Sequence, residues 1–352
     1  MSRINAYIWP ALAGILFAAC IGLWLDKNTP NTKHALGSPS FAGAVNKAKR
    51  SVASIDTRQI VARSNLRQTL QNSQGEVKSS LGSAVIVDTN GYLLTNHHVI
   101  AGADQIIVTL YDGRQARAKI VGTDEDSDLA VLWIDLDALT PIVFGNQNRV
   151  QVGDIVLAIG NPFGFGHTVT QGIISATGRW GLNLGKYEDY LQTDADINVG
   201  NSGGALINTD GELVGINSAI YSQSGKSQGI GLAIPSDIAE RIMQELIQQG
   251  EVIRGWMGIG VQELNADIAK QLQLNVTSGV IVTGVAPVGP AGKAGIRAGD
   301  IMTAIDQQPL ASGRAGMMQV AMLMPGTTII VEILRDNTRF NVPVVVGRKP
   351  SS

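Results

Sequence analysis

The sequence predicts a mostly β protein: two strand-rich domains carried behind an N-terminal transmembrane helix. Three observations lead there. The chain of 352 residues is longer than one typical domain. Its 41 glycines and 44% apolar content, with only 5% aromatics, describe β domains joined by many turns. Short Val/Ile/Leu runs punctuated by turn residues recur from Leu81 onward. A formal charge of −2 without a long Lys/Arg run leaves no electrostatic footprint for nucleic acid, and that partner is set aside. The only cysteine, Cys20, excludes an intrachain disulfide and a cysteine metal site; no His-Glu-x-x-His is present, so no metal or cofactor is expected.

Taken in order, the first element is "YIWPALAGILFAACIGLWL", Tyr7–Leu25, within a membrane anchor assigned to residues 1–25. Its 19 uncharged residues at about 1.5 Å each just span the hydrocarbon core. Trp9 and Trp24 sit at the two headgroup levels, and Pro10 lies near the start, where a helix tolerates it. Arg3 and the amino terminus are the only positive groups before it, while Asp26 and Lys27 cancel after it. That bias sets the N-terminus in the cytoplasm and the body outside. A leader processed at "AAC" is the rival, disfavoured because the apolar run continues past Cys20 to Leu25. Residues 26–40 are polar and rich in Pro, Ser, Thr and Asn, a linker unable to bury enough surface to order itself.

The first globular domain is placed at 41–250. Gln59 to Ser80 lacks periodic apolar positions and reads as a long surface loop between "SVASI" and "GSAVIV". From Leu81 to Ile234, runs such as "YLLTN", "QIIVTLY", "LAVLWI" and "DIVLAIG" argue for a barrel or sandwich. The period then changes: Ile238, Ile242, Leu246 and Ile247 share a helical face, with Ser236 suited to the N-cap and Gly250 to the position past the C-cap. After it, 252–347 holds five or six strand candidates and a helical "GRAGMMQVAML", the size of an independent module.

The chemistry centres on "INVGNSGGAL", Ile197–Leu206, where glycines surround Ser202. Such a stretch serves equally as a tight turn or as a nucleophile's seat, since glycine permits positive φ and close substrate approach. A nucleophilic serine needs a base, and the chain has four histidines. His34 lies in the linker and His167 in a glycine-rich loop, whereas His97 and His98 end the strand candidate "GYLLTNHHVI". Asp128, directly before the apolar "LAVLWI", is the candidate orienting acid; Asp124 and Asp126 read as solvated turn acids.

"TNHHVI", "DSDLAVLWI" and "GNSGGALIN", in the order His, Asp, Ser, resemble the trypsin-like serine proteases of the HtrA (Deg) family. The resemblance implies a trypsin-like double β-barrel and selects His98, Asp128 and Ser202 as the catalytic triad, with His97 outside it. It implies an oxyanion hole in the stretch Gly200, Asn201, Ser202, where the Gly200 and Ser202 N–H groups converge on the developing charge. Substrate backbone pairs with "GINSAIYS"; Ala219 and Ile220 line the primary pocket by similarity, with Ile197 and Val199 nearby in sequence. No acidic residue is evident there, so small or medium apolar side chains fit, with exposed or buried placement of Asp196 left open.

In the second domain "RGWMGIGVQEL" and "VAPVGPAGKAGIRAGDIMTAIDQQPL" resemble the family's PDZ domain. Trp256, Met257, Gly258 and Ile259 are then the peptide-binding loop, whose N–H groups hold a chain-terminal carboxylate. The segment Ser175–Asp194, carrying Arg179, resembles the family's regulatory loop between PDZ domain and oxyanion hole, and the Met-rich helix is expected to wall the peptide groove. One anchor, one protease and one PDZ domain is the layout of DegS-type members. That layout implies a homotrimer joined near Phe41, single-pass in the bacterial inner membrane and facing the periplasm. It implies cleavage of a membrane-spanning anti-sigma factor in the envelope-stress response when C-terminal peptides of misfolded envelope proteins bind. The alternative is an anchored PDZ chaperone or scaffold with a dormant protease domain. "NPFGFGHT" departs from the family pattern by its extra histidine, His167.

Overall fold

The computed structural model describes residues 40–61, 76–146, 149–161, 166–182, 184–198, 200–220, 229–272, 274–276 and 278–350. The apolar segment Tyr7–Leu25 lies outside them. Among the described residues no helix is long and apolar enough to cross a membrane. Contacts divide the chain into Met1–Gly43 and Ala44–Ser352, and the strands and the site described below lie in the second unit.

Helix α1 (Ala42–Ala48) leads into seven strands: β1 (Val52–Val61), β2 (Glu76–Ile86), β3 (Tyr92–Thr95), β4 (Gln105–Thr109), β5 (Gln115–Arg117), β6 (Lys119–Asp124) and β7 (Leu129–Trp133). A short helix α2 (His97–Ile100) follows β3. The strands form one sheet in the order β5-β4-β1-β2-β3-β7-β6 around a core that includes Ile55, Ile86, Leu93, Val108 and Leu132. Alternation sets the faces: in β4, Ile106 and Val108 are buried between half-exposed neighbours. The expected loop from Gln59 to Ser80 is shorter than its composition suggests. β1 and β2 pair from Val52↔Val85 out to Val61↔Glu76. Arg58, Gln59, Lys78, Ser79 and Ser80 are exposed on that hairpin, and the backbone ladder pairs the arms there.

The second set closes into a barrel, β10-β13-β12-β11-β8-β9. Its strands are β8 (Ile155–Gly160), β9 (Thr168–Arg179), β10 (Tyr190–Thr193), β11 (Ala205–Ile207), β12 (Leu213–Ile220) and β13 (Gly231–Pro235). The segment Ser175–Asp194 is therefore strand at its two ends, with Tyr190 paired to Arg179 and Thr193 to Ile174, and its non-strand part is 180–189. Helix α3 (Ser236–Gln249) buries Ile238, Ile242 and Leu246 and packs on β6, β7, β12 and β13, bracing both halves. Gly250 ends it at φ 75°, donating to Leu246 O. Ser236 is not its cap: Pro235 occupies that position, and Ser236, 1% exposed, is the first helical residue.

The C-terminal module pairs β14 (Gly255–Trp256) with β21 (Gly347–Arg348). Its main sheet runs β15 (Ile259–Glu263), β16 (Val280–Val285), β17 (Ile301–Ile305), β19 (Thr328–Arg335), β20 (Thr338–Val345), with β18 (Gln308–Pro309) folded back on β17. Helices α4 (Ala266–Gln271), α5 (Pro290–Lys293) and α6 (Gly313–Ala321) complete it. Asn265 and Ser312 cap α4 and α6, accepting from Ile268 and Ala315 N–H. The two domains are joined by ion pairs that overturn the reading of Asp124 and Asp126 as solvated acids. Arg254 grips Asp124 through both guanidinium nitrogens at 2.7 and 2.5 Å, the two side chains being 6% and 8% exposed. Asp126 is held by Lys349 at 2.5 Å and Lys186 at 3.1 Å. Burial pushes the Asp126 carboxyl up, but those two ammonium groups together hold it below the usual carboxylate range.

Candidate active site and peptide groove

The site lies between the seven-stranded sheet and the barrel. After β3, Asn96 is extended (φ −82°, ψ 147°) and the chain then turns into α2, so His98 stands in a helical turn instead of on the strand. Asp128 sits at the left-handed end of the 3₁₀ turn Glu125–Ser127 (φ 57°, ψ 40°), immediately before buried β7. The two meet closely: His98 Nδ1 lies 3.0 and 2.8 Å from the Asp128 carboxylate oxygens, and His98 N–H donates to Oδ1 at 3.0 Å. The imidazole is 49% exposed while the carboxylate is 13% exposed, so the ring is anchored on one edge and open on the other. His97 is half-buried; its backbone N–H donates to Asp128 O, and its ring touches no acid among the described hydrogen bonds.

Ser202 lies in a tight turn between β10 and β11. Gly200 takes φ 102° and Gly203 φ 80°. A Cβ at Gly203 would come within 2.2 Å of Ser83 O and 2.3 Å of Thr95 Oγ1, so the turn presses directly onto β2 and β3. Asn201 braces the turn. Its N–H donates to Asn198 O at 3.1 Å, and its side chain accepts from Asn198 N–H at 3.1 Å and donates to Asp196 O at 3.2 Å. The Asn201 amide therefore faces the turn, leaving Gly200 and Ser202 as the amides of interest. Ile197 is 1% exposed and packs on Gly231, where a Cβ would meet its Cδ1 at 2.9 Å. Ala219 and Ile220 stand in β12 opposite Leu232 and Gly231; their side chains, and Val199, lie outside the described residues. Asp196 is exposed.

The module carries a groove of about 670 Å³. Buried Met257, Met302, Ile305, Leu310 and Val320 line it, together with Trp256, Gly258 and Ile259. Gly258 has φ 76°, and the carbonyls of Met257 and Gly258 are tied back by Ala291 and Ala286 N–H. β15 is the terminal strand of its sheet. Of the Met-rich helix only Met317 lines this groove; Met318 and Met322 line the crevice against α3, and Met324 is 57% exposed. The protease domain contributes Trp180, Lys186 and Tyr187 to the groove's rim, with Arg314 5.3 Å over the Trp180 ring. Arg179 itself is not among the groove's lining residues; its Nε donates to Gln192 Oε1 at 2.7 Å.

Residues 82–216 match the trypsin-like peptidase domain family, and residues 255–346 match the PDZ domain family. Serine endoprotease DegS of Escherichia coli strain K12 is 46% identical over 288 residues, 81% of this chain and 81% of that protein. DegS of Salmonella typhimurium is 44% identical over 318 residues, covering 89% and 87%. A solved structure of the HtrA-type protease AlgW with a decapeptide matches at a TM-score of 0.79 and 47% identity, over 89% of this chain and 100% of that one. The chain belongs to the HtrA family of serine endoproteases. AlgW with a tripeptide matches at the same TM-score, 0.79, and 49% identity.

Four residues of this HtrA protease were not singled out from sequence. Ser218 donates to Asp128 Oδ2 at 2.9 Å and bonds to the Tyr190 hydroxyl, whose ionisation is pushed well up by burial and then by the Asp128 charge. Tyr190 thus stays a donor, and Tyr190–Ser218–Asp128–His98 is one polar chain. Its sequence signal is the polar Asn217-Ser218 pair inside apolar β12. Glu188, 2% exposed, accepts from the N–H groups of Leu182, Leu184 and Gly185 and so shapes the 180–189 loop. Burial raises its carboxyl, but those N–H groups bring it below the usual carboxylate range. Ser83, fully buried on β2, bonds to the turn that carries Ser202.

Proposed function

We propose that this HtrA serine endoprotease is a membrane-anchored, periplasm-facing enzyme of the envelope-stress response, gated by peptides in its PDZ groove. Ser202 Oγ attacks the scissile carbonyl, His98 takes its proton through the ring nitrogen facing away from Asp128, and Asp128 stabilises the imidazolium. The Gly200 and Ser202 N–H groups receive the oxyanion. The observation that carries this reading is the two-oxygen grip of Asp128 on His98 Nδ1 with the other edge of the ring open. Substrate adds as a strand beside β12, with Ile197, Val199, Ala219 and Ile220 favouring small or medium apolar side chains.

A C-terminal carboxylate docks on the loop Trp256–Ile259 and the ligand strand adds to β15. AlgW's solved forms with a decapeptide and a tripeptide support a peptide ligand. Trp180, Lys186 and Tyr187 on the groove's rim carry occupancy to the 180–189 loop. The family's layout supports a homotrimer joined near Phe41, an anchor at Tyr7–Leu25, and a membrane-spanning anti-sigma factor as substrate. Peptides activate only by binding the competent state better, and a shift from 1:99 to 99:1 needs about 5.5 kcal/mol of differential affinity, so one peptide gives partial activation.

The test titrates peptides with an apolar last residue, in free-acid and amidated forms, against cleavage of unfolded casein. Free acids are expected to raise the rate and amides to leave it flat. Equal activation by both, or unchanged basal and stimulated rates after deletion of 252–347, overturns the gating.

A further inference from the structure

Ser83 sits on β2, in the half of the protease that does not contain Ser202, and is 0% exposed. Three of its groups reach polar partners around the nucleophile's turn. Its N–H donates to Ser202 O at 2.9 Å. Its Oγ donates to Gly200 O at 2.7 Å and accepts from Asn161 N–H at 2.9 Å. Its own carbonyl accepts from Thr95 Oγ1 at 2.7 Å. A serine hydroxyl has a single proton to give, and here it goes to Gly200 O.

Those contacts bracket the hole. Gly200 O belongs to the peptide unit joining Gly200 to Asn201, and Ser202 O to the unit joining Ser202 to Gly203. A peptide unit is planar, so fixing its carbonyl fixes the plane at that point of the chain. Ser83 thus pins the unit just after one oxyanion donor and the unit just after the other. The surrounding packing has no slack: a Cβ at Gly160 would meet Asn201 Cβ at 2.3 Å, and one at Gly203 would meet Ser83 O at 2.2 Å. Hydrogen bonds buried at such density have no water to substitute for them.

We propose that Ser83 is a positioning residue for the oxyanion hole: its side chain and its amide together aim the Gly200 and Ser202 N–H groups at the oxyanion. The proposal rests on the reading of Ser202 as nucleophile and adds a residue from the opposite half of the fold. It touches no substrate and acts only through the turn. Loss of a direct oxyanion donor costs about 10²–10³ in kcat, so loss of the hydroxyl that aims the turn is expected to cost roughly 10- to 100-fold, carried in kcat because the hole binds the transition state and not the ground state.

The experiment compares wild type, Ser83→Ala and, as a stability control, Val108→Ala, a core change in β4 away from the site. Fluorescent casein gives kcat and KM, and a peptidyl boronate with a valine-like first residue reports on hole geometry. Ser83→Ala is expected to lower kcat roughly 10- to 100-fold with KM within about twofold, and to weaken the boronate by the same factor. Val108→Ala is expected to lower the melting temperature with kcat kept. A Ser83→Ala enzyme with kcat within about twofold of wild type, or with kcat lost but boronate affinity kept, overturns the proposal. Should the alanine variant not fold, Ser83→Cys fills the space with a far weaker hydrogen-bonder and must give the same kcat loss. A fluorophosphonate probe separates the two readings. If it leaves wild-type Ser202 unmodified, the nucleophile assignment falls; if it labels Ser202 while Ser83→Ala runs at full rate, only the role of Ser83 falls.

Discussion

At the residue scale the adjacent histidines divide their duties: His98 contacts both carboxylate oxygens of Asp128, whereas the His97 backbone N–H donates to the Asp128 main-chain carbonyl. Because members of a triad act as a unit, Ser202→Ala and His98→Ala are each expected to lower kcat by roughly 10⁴-fold or more, while His97→Ala keeps most of the activity. Casein cleavage by purified variants decides it, and equal losses at His97 and His98 would break the assignment. His98, Asp128 and Ser202 were legible in sequence as candidates because each stands inside a run of neighbours with its own pattern, and the structure brings His98 and Asp128 together. Ser83 and Ser218 were not: their meaning depends on which strand faces them, and a lone serine in an apolar strand has many uses. Asp124 was misread for the same reason, since its partner Arg254 lies 130 positions away. A charge beside a turn looks solvated until the chain brings back a cation.

Among the elements, β9 is preceded directly by the chain's unusual histidine. His167 Nε2 donates to Val52 O at 2.8 Å, its ring lies 5.4 Å from Tyr111, and Lys49 sits 5.1 Å over that tyrosine. Burial lowers its affinity for a proton, the Lys49 charge lowers it further, and the Val52 carbonyl opposes both without winning. The folded state therefore refuses a proton that the unfolded chain accepts, and stability falls as pH drops through the ordinary imidazole value of 6.5. Replacing His167 by Gln is expected to narrow the melting-temperature gap between pH 7.5 and 5.5 by roughly 2 °C or more. An unchanged gap places the acid sensitivity elsewhere. Strand composition was a sound guide wherever a strand had a core to face, as in β4 and β7. It failed on the outer arms of β1 and β2 and over 175–194, where pairing is dictated by the partner strand and polar side chains are tolerated on the wet face.

For the whole molecule, the junction between protease and PDZ domain rests on Arg254 and Asp124, both buried. Burial works against the Arg254 charge, and the bond and charge of Asp124 more than restore it. Removing one partner of a buried pair leaves the other uncompensated, at roughly 3–5 kcal/mol. Arg254→Ala is thus expected to lower the melting temperature and to split one calorimetric transition into two, as the PDZ domain loses its hold on the protease. A single transition at the wild-type temperature would remove this pair from the account of domain coupling. The sequence foresaw a trypsin-like domain followed by a PDZ domain but could not foresee the seam, because the acids on one side and the cations on the other are each unremarkable where they stand in the chain.

The clamp of Ser83 on the turn of Ser202 crosses between the two halves of the protease. The half that makes the imidazole and its acid is complete in the chain order before Ser202 has been synthesised, and the later half holds a hydroxyl with no base beside it. A growing or half-folded chain consequently has no working scissors. On the reading of Ser202 as nucleophile, such a chain acquires them only once its two halves have closed on each other and the Ser83 contacts are made.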